Sequence, residues 1–281
     1  MTKILYISDF FLSDLIGGGE LSDDVLCKQL IEKGHQLQKK RSHQITHQSL
    51  SKYKGWFFII SNFINLKKEC KDILTSNNNY IIYEHDHKYL ISRNPGLYDN
   101  FLAPKEQIIN YEFYKNANRV ITQTSFHKKI VEKNLKINNV VSISGNFWSL
   151  QSLEFLRKMS KVDKNDKYAI LNSRTPHKNT RDAIRYCRAK KIDYNLVSSS
   201  NYEDFLSKLG QNKKLIFLPK TPETLSRVVV ESRMMNMGTI LNKNVGASYE
   251  DWFGMKGEEL IDYMIDKRKR ITNTIGKIIN E

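Results

Sequence analysis

The sequence is poor in cysteine, with only Cys27, Cys70 and Cys187 among 281 residues. The three thiols are odd in number and far apart, and no two of them have the close spacing of a metal-ligand pair. A disulfide-stapled secreted domain and a cysteine zinc site are therefore disfavoured. We expect buried, reduced thiols in a reducing compartment.

Long apolar runs are also missing. The best candidate, from Trp56 to Ile64, contains Ser61 and Asn62 and is far too short to cross a bilayer. The chain opens on the strand pattern KILYIS at residues 3–8, so we expect no cleavable leader. With 40% apolar residues, we expect a globular cytoplasmic protein with one large core or two small ones.

Acidic residues are scarce relative to basic ones. The chain has 30 Asp and Glu against 45 Lys and Arg, a formal net charge of +15. Such a charge favours a polyanionic partner, either nucleic acid or an anionic membrane surface. The alternative is that codon usage makes lysine abundant and that the charge serves solubility. The sequence contains no zinc-finger or RNA-recognition signature.

The first half opens with a strand, a glycine loop and a helix. Strand 3–8 precedes three consecutive glycines at 17–19, and apolar residues then recur with helical period from Glu20 to Lys33. Consecutive glycines let backbone amides approach a ligand closely, which is typical of a nucleotide-binding α/β unit. The full dinucleotide fingerprint G-x-G-x-x-G is absent. A flexible loop before a helix is the alternative interpretation.

A second polar group follows the apolar strand pattern Tyr80–Tyr83, which ends in Glu84, His85, Asp86 and His87. Open α/β sheets place ligand contacts at the carboxyl ends of their strands. Metal binding by the two histidines is disfavoured, because alternate residues of a strand point to opposite faces. Solvated surface residues and a ligand site are the other interpretations, and in a ligand site Glu84 or Asp86 is a candidate general base.

The strand and helix pattern starts again near residue 155. A predicted helix from Ser149 to Met159 and the polar stretch KVDKNDK mark the boundary. We therefore expect domains at 1–155 and 156–256, followed by a terminal helix at 257–281. Alternating strands and helices in both halves predict an α/β fold with parallel sheets.

The second half begins with the strand YAILNS, followed by a loop with Arg174 and Lys178. Asn179 or Thr180 is placed to cap the next helix. Two cations at a helix N-terminus can clamp a pyrophosphate, because amides, helix dipole and side-chain charge act on the same anion. An ordinary basic surface is the alternative.

Residues 221–246, TPETLSRVVVESRMMNMGTILNKNVG, predict a turn, a helix that ends at Gly238, and a buried strand. Glu223 lies where the helix dipole favours a carboxylate. Glu231 lies among valines and methionines, where a carboxylate is costly unless a hydroxyl-rich ligand satisfies it. The alternative is an N-terminal helix charge followed by a solvated helix face.

The glycine loop, the strand-end histidine, Arg-x3-Lys and Glu-x7-Glu follow one another in the order found in GT-B glycosyltransferases, and the chain resembles chiefly their retaining branch. The resemblance implies two Rossmann-like domains that face each other across a cleft. The first domain would hold the acceptor, with Gly18 and Gly19 facing the donor phosphates and the acceptor. His85 would reach the donor sugar, and Asp86 would be a base if the reaction inverts.

The resemblance also implies a donor site in the second domain. Arg174 and Lys178 would stabilise the leaving diphosphate, Glu231 would hold the nucleotide ribose, and Glu223 would lie by the donor sugar. Catalysis in this scheme is mainly charge stabilisation of the departing nucleotide, so no metal and no cofactor beyond the nucleotide sugar is implied.

Size and charge extend the resemblance to the DNA-modifying glucosyltransferases of T-even bacteriophages. This implies UDP-glucose as donor and glucosylated hydroxymethylcytosine in duplex DNA as acceptor, in a host cytoplasm. The expected DNA contacts are Lys39, Lys40, Arg41 and the run from Lys267 to Arg270. A cell-envelope glycan glycosyltransferase and a non-catalytic nucleic-acid-binding protein are the alternatives.

Overall fold

The computed structural model describes residues 1–281 and divides into two compact units. The first contains Met1–Phe147 together with Arg268–Glu281, and the second contains Trp148–Lys267. Each unit has its own parallel sheet and its own apolar cores.

The first unit is built on a six-stranded parallel sheet with the strand order β2-β1-β3-β4-β5-β6. Its strands are β1 (Lys3–Ser8), β2 (Gln36–Arg41), β3 (Phe57–Ile60), β4 (Tyr80–Tyr83), β5 (Arg119–Thr122) and β6 (Val140–Ser142). Its helices are α1 (Gly18–Glu32), α2 (His47–Ser51), α3 (Lys68–Asn77), α4 (Tyr111–Lys115) and α5 (Ser125–Leu135). Because the pairing is parallel throughout, the carboxyl ends of all six strands lie at one edge.

The central strands of this sheet are apolar along their whole length because both faces are covered. β3 reads FFII, β4 reads YIIY, and every residue of both is buried. Alternate side chains enter different cores: Ile60 and Ile82 pack in one, and Ile59 and Ile81 in the other. Continuous apolar strands are typical of a parallel sheet with helices on both sides.

The second unit has a four-stranded parallel sheet with the order β10-β9-β7-β8. Its strands are β7 (Asn165–Leu171), β8 (Tyr194–Val197), β9 (Asn212–Phe217) and β10 (Gly238–Leu241). Its helices are α6 (Leu150–Ser160), α7 (Thr180–Lys190), α8 (Tyr202–Gly210) and α9 (Arg227–Met234). A large core contains residues of α6, α8 and α9, and a smaller core is built around Ala183 and Cys187 of α7.

The last helix, α10 (Gly257–Asn280), contributes to both units. Leu260 and Met264 pack in the large core of the second unit, and Ile271 and Ile275 pack in a core of the first. α10 is the longest helix, yet neither it nor any other helix is long and apolar enough to cross a membrane.

The glycines at 17–19 do not form the predicted loop. Helix α1 begins at Gly18, so Gly18 and Gly19 lie in its first turn. Gly17 is the N-cap, and a Cβ on it would come within 2.3 Å of the carboxylate of Glu20. The glycine therefore leaves room for Glu20 to fold back over the helix start.

The prediction that Gly238 ends the helix is wrong. Helix α9 ends at Met234, and Asn236 takes a φ of 67° just after it. Gly238 is instead the first residue of β10, where a Cβ would lie 2.9 Å from the side chain of Lys214. The glycine at this position serves a close approach between neighbouring strands.

The sequence predicts a loop for the basic run Lys39 to Arg41, but the run lies in β2, at the edge of the first sheet. Lys39 pairs with Asp24 at 3.1 Å, and Nε of Arg41 lies 3.0 Å from Asp14. The bond from Arg41 lowers the pKa of Asp14 to about 2. Lysines on an edge strand discourage pairing with other chains, which explains the run without a ligand.

The prediction that the three cysteines are buried is confirmed. Cys27, Cys70 and Cys187 are free and buried in apolar cores. Burial raises the pKa of each thiol, so all three are poor nucleophiles.

His127 is a buried group that should make stability depend on pH. Its ring packs edge-on against His87 at 5.2 Å, and Nε2 lies 3.1 Å from the carbonyl of Asp86. Burial, with His87 nearby, lowers the pKa of His127 well below 6.5. The unfolded chain therefore binds a proton below pH 6.5 that the folded chain does not. The stabilisation is complete above that pH and is lost as the pH falls.

We expect this histidine to lower the free energy of unfolding by about 1.4 kcal/mol between pH 7.5 and 5.5. Urea denaturation at the two pH values measures the change. The variant His127→Gln keeps a donor but cannot titrate, so it should lose most of the pH dependence. The matched control is His43→Gln, at an exposed histidine. An unchanged pH dependence in His127→Gln would contradict the prediction.

Candidate functional site

Polar side chains gather at the carboxyl edge of the first sheet, where the sequence predicts His85. The chain leaves β4 and places His85 beside the first turn of α1, so that a Cβ on Gly19 would lie 3.5 Å from the ring. The side chain of His85 is only 7% exposed. The structure thus brings together two of the predicted residues of the first half, with Gly18 one position earlier in the same turn.

Both ring nitrogens of His85 are held by other side chains. Nε2 lies 2.6 Å from Oδ1 of Asp23, and Nδ1 lies 2.8 Å from the amide nitrogen of Gln123. A carboxylate accepts and an amide NH₂ donates, so the contacts fit the neutral tautomer with its proton on Nε2. The ring is fixed in orientation. His85 cannot take a proton from a substrate without breaking one of these bonds.

Asp23 is a site residue that the sequence analysis missed. It is buried and also accepts a hydrogen bond from Ser61 at 2.5 Å. Its neighbour Ser22 is buried too and bonds the hydroxyl of Tyr83 at 2.9 Å. The available signal is that two adjacent polar residues interrupt the apolar face of α1, although helical periodicity alone does not reveal their partners.

Glu84 and Asp86 belong to a separate charged cluster around Lys88. The ammonium group of Lys88 contacts Glu84 and lies 2.9 Å from Asp86, and its side chain is 2% exposed. Glu84 also accepts from the hydroxyl of Tyr114, and Asp86 accepts from Arg93. Burial opposes ionisation of Asp86, but Lys88 and Arg93 lower the pKa of Asp86. A carboxylate held in this way takes up a proton poorly.

In the second unit, Lys178 and Glu223 form an ion pair although they are 45 positions apart. Nζ of Lys178 lies 2.9 Å from each oxygen of Glu223. Lys178 stands in the turn between β7 and α7. The backbone of Glu223 pairs with that of Val245, which holds the segment after β9 in place. Arg174 is exposed in the loop that leads to Lys178.

Glu231 is buried in α9, and one of its oxygens receives three donors. Oε1 accepts from the indole of Trp148 at 2.9 Å and from the hydroxyl of Tyr202 at 2.6 Å, and it lies 3.2 Å from Arg227. The guanidinium of Arg227 also stacks over the ring of Trp148 at 4.7 Å. These protein groups satisfy Oε1.

Sequence reasoning missed the partners of Glu231 for different reasons. Arg227 is four positions earlier on the same helix, so the spacing of an i,i+4 ion pair could have identified it. Trp148 and Tyr202 lie 83 and 29 positions away. No local pattern connects residues at such separations.

The turn before α9 is strained. Ser226 has a φ of 74° and a ψ of 87°, a region that residues with a side chain rarely occupy. Its hydroxyl is buried and has no hydrogen-bond partner. The amides at the start of a helix are donors for an anion, and strain of this kind is common where ligands bind. The turn is therefore a candidate ligand contact.

The other predicted basic run, Lys267 to Arg270, lies within α10. Lys267 is half-buried, with its ammonium group 5.8 Å from the ring centre of Tyr263. Lys269 and Arg270 are exposed. No group of three or more His, Cys, Asp or Glu side chains is placed to hold a metal ion.

No family model and no curated protein matches the sequence. Among solved structures, the fold is similar to the catalytic domain of starch synthase IV from Arabidopsis thaliana bound to ADP and acarbose. The TM-score is 0.54 at 10% identity, covering 100% of this chain and 95% of that one. It is also similar to Anabaena Alr3699/HepE in complex with UDP-glucose, with a TM-score of 0.52, 13% identity and coverage of 99% and 92%.

An alpha-glucosyltransferase in complex with UDP and a 13-mer DNA containing an HMU base matches with a TM-score of 0.48 and 12% identity, covering 96% of this chain and 90% of that one. The two higher-scoring likenesses establish the architecture. The chain has the α/β fold of the GT-B glycosyltransferases, as the sequence predicts.

Proposed function

We propose that this protein is a glycosyltransferase that moves glucose from UDP-glucose to an acceptor hydroxyl. The observation that carries the proposal is the Lys178–Glu223 pair, with both contacts at 2.9 Å. It places a cation suited to a diphosphate beside a carboxylate suited to sugar hydroxyls. Two structures of similar fold hold UDP-glucose or ADP, which supports a nucleotide-linked donor.

A diphosphate carries more negative charge than Glu223 and would compete with it for Lys178. The exposed Arg174 is available to reach the same anion. Once released from Lys178, Glu223 is able to accept hydrogen bonds from the sugar. Oε2 of Glu231 is the acceptor we assign to a ribose hydroxyl. The amides beside Ser226 offer further donors to the phosphates.

In the proposed reaction, the bond between the anomeric carbon and the diphosphate oxygen breaks, and UDP leaves with the electron pair. A new bond forms between the anomeric carbon and the acceptor oxygen. The acceptor proton passes to the diphosphate, which has just gained an oxyanion. Lys178 and Arg174 stabilise that charge as it develops, and this is where such groups contribute most to rate. We assign His85, whose ring is fixed, to contact with the sugar rather than to proton transfer.

For the acceptor we propose glucosylated hydroxymethylcytosine in duplex DNA. The net charge of +15 supports a polyanionic acceptor. A membrane-bound glycan acceptor is the second candidate, because the segment after β4 exposes apolar side chains. Ile91 is 59% exposed, Leu97 66% and Leu102 47%. Exposed apolar side chains are able to enter the acyl layer at a membrane surface.

The test combines donor binding with product analysis. UDP-glucose at 100 times its dissociation constant should stabilise the protein by about 2.7 kcal/mol in a thermal-shift assay. Lys178→Ala should weaken this effect, whereas Lys213→Ala, at an exposed surface ion pair, should not. The protein is then incubated with UDP-glucose and duplexes that contain cytosine, hydroxymethylcytosine or glucosylated hydroxymethylcytosine. The duplexes are digested, and the masses of the nucleosides are measured by mass spectrometry.

A gain of one hexose on a modified base alone is the expected product. Transfer to a lipid-linked or soluble glycan instead would overturn the DNA acceptor and leave the donor proposal standing. DNA binding without response to any nucleoside diphosphate would indicate a non-catalytic nucleic-acid-binding protein.

Replacing Asp23 with asparagine should lower turnover by about tenfold, because a neutral amide holds the His85 ring less strongly than a carboxylate does, by about 1.4 kcal/mol. Asparagine keeps the size of Asp23 and its acceptor for His85, so the fold and the KM for UDP-glucose should change little. Steady-state kinetics measure the two constants separately. The control is Asp24→Asn, at the next position, where the carboxylate pairs with Lys28 and Lys39. Equal kinetics in both variants would contradict the positioning role.

A further inference from the structure

Helix α7 carries a row of arginines that no part of the donor site uses. Arg181, Arg185 and Arg188 are all exposed. Positions i, i+4 and i+7 lie on one face of a helix, so the three guanidinium groups form a single row. At a rise of about 1.5 Å per residue, the row is about 10 Å long.

The choice of arginine at these positions is unusual for this chain. Twelve of its 45 basic residues are arginines, so lysine is almost three times as common. Between residues 174 and 188 the preference reverses, with four arginines and one lysine. Codon bias toward lysine predicts the opposite. Arginine is favoured over lysine where planar, bidentate contact with phosphate matters.

The row lines a groove of about 690 Å³, and Lys220 also lines it. Little negative charge opposes these cations. Asp182 is the only acid between residues 174 and 191, which include seven Lys and Arg. It pairs with Arg185 at 3.2 Å on the exposed surface, where such a pair contributes little. The groove is therefore concave, basic and open to solvent.

We propose that this groove binds the phosphodiester backbone of nucleic acid. Each strand of duplex DNA carries one phosphate per about 3.4 Å of axis, so a row about 10 Å long faces about three phosphates. The inference rests on the proposed DNA acceptor for its purpose, because it supplies the surface that holds the duplex. Backbone contacts of this kind position a protein on DNA without reading its sequence.

A membrane surface fits the groove less well. Helices that lie on membranes insert an apolar face below their cations. The apolar side of α7 is used inside the unit, where Ala183 and Cys187 are buried against the sheet. Ile184 is the one apolar side chain that α7 contributes to the groove, and it is half-buried. The exposed side of α7 thus presents cations, and its apolar face is already buried inside the unit.

The test is the affinity for an unmodified 20-base-pair duplex, measured by fluorescence anisotropy over a series of salt concentrations. The triple variant Arg181→Gln, Arg185→Gln, Arg188→Gln should bind at least tenfold more weakly. For this variant, the slope of the logarithm of the binding constant against the logarithm of the salt concentration should be shallower by about 0.9 for each phosphate that is no longer neutralised. The matching triple change to lysine should restore only part of the affinity. Thermal unfolding and UDP binding should remain at wild-type values, which shows that the fold is kept.

The charge control is the triple variant Lys52→Gln, Lys54→Gln, Lys129→Gln, which removes three exposed cations from the first unit. An equal loss of DNA affinity in this control would show a diffuse effect of net charge and overturn the proposal. Unchanged DNA affinity in the arginine variant, or loss only of binding to phosphatidylglycerol vesicles, would overturn it as well.

The groove and the acceptor proposal fail in different ways. If the arginines bind plain duplex but no modified base gains a hexose, the acceptor is wrong and the groove stands. If transfer to modified DNA occurs and the arginine variant keeps both affinity and rate, the acceptor stands and the groove is wrong.

Discussion

Replacing Glu231 with alanine should lower the free energy of unfolding by about 3–5 kcal/mol, the usual cost of removing one partner of a buried ion pair. The side chains of Glu231 and Arg227 are 3% and 9% exposed. Without the carboxylate, Arg227 would lose the counter-charge that it has over the ring of Trp148, and Tyr202 would lose its acceptor. Urea denaturation measures the loss, and hydrogen exchange should locate it in α9.

The isosteric variant Glu231→Gln separates the structural role from the proposed ribose contact. Glutamine retains an acceptor for Trp148 and Tyr202 but removes the negative charge beside Arg227, so this variant should lose less stability than Glu231→Ala. A hydrogen bond to a charged group contributes about 1.5–3 kcal/mol, so the affinity for UDP should fall about tenfold or more. Glu259→Gln, at an exposed position of α10, is the control. If Glu231→Gln binds UDP as tightly as the wild type, the ribose role of Glu231 is wrong.

Lys88→Met should destabilise the first unit by a similar amount, about 3–5 kcal/mol. Glu84 is fully buried, and burial already raises the pKa of its carboxyl while Lys88 opposes that rise. Without Lys88, the Glu84 carboxylate would have only Tyr114 and the amide of Asp86 as donors. We expect a large loss in urea denaturation at neutral pH and a smaller one in acid, where Glu84 is protonated.

Adding Glu84→Gln to Lys88→Met should recover much of that stability, because the double variant removes the uncompensated charge. A double-mutant cycle gives the coupling energy of the two residues. Lys208→Met is the control, since its exposed i,i+4 pair with Asp204 should contribute about 0.5 kcal/mol or less. Equal losses in Lys88→Met and Lys208→Met would show that the buried cluster contributes no special stability.

Local patterns in the sequence identified the elements that carry the candidate site. An apolar run located the buried strand β4, and the ends of β4 and β7 led to His85 and Lys178. The resemblance assigns Lys178 and Glu223 to one donor site, which stays a prediction, and the structure shows an ion pair between the two side chains. These features were predictable because a strand end or a helix start is specified by residues close in sequence.

The residues that were missed or misplaced depend on contacts between distant segments. In the sequence, nothing distinguishes Asp23 from other polar residues of a helix. Its role depends on its contact with His85, which only the fold brings about. Gly238 looks like a helix end, and only the neighbouring strand with Lys214 shows why a glycine is there. Glu231 reads as a carboxylate in need of a ligand, yet Trp148 already bonds one of its oxygens.

The division of α10 between the two units has a consequence for biosynthesis. The first unit consists of residues 1–147 completed by residues 268–281, with Ile271 and Ile275 in its core. A ribosome therefore synthesises the entire second unit before it reaches the segment that closes the first. Domains usually fold in order as they emerge, but here residues 1–147 cannot complete their core until residues 268–281 have been synthesised. Until then its unfilled apolar surface is a natural target for a chaperone on the nascent chain.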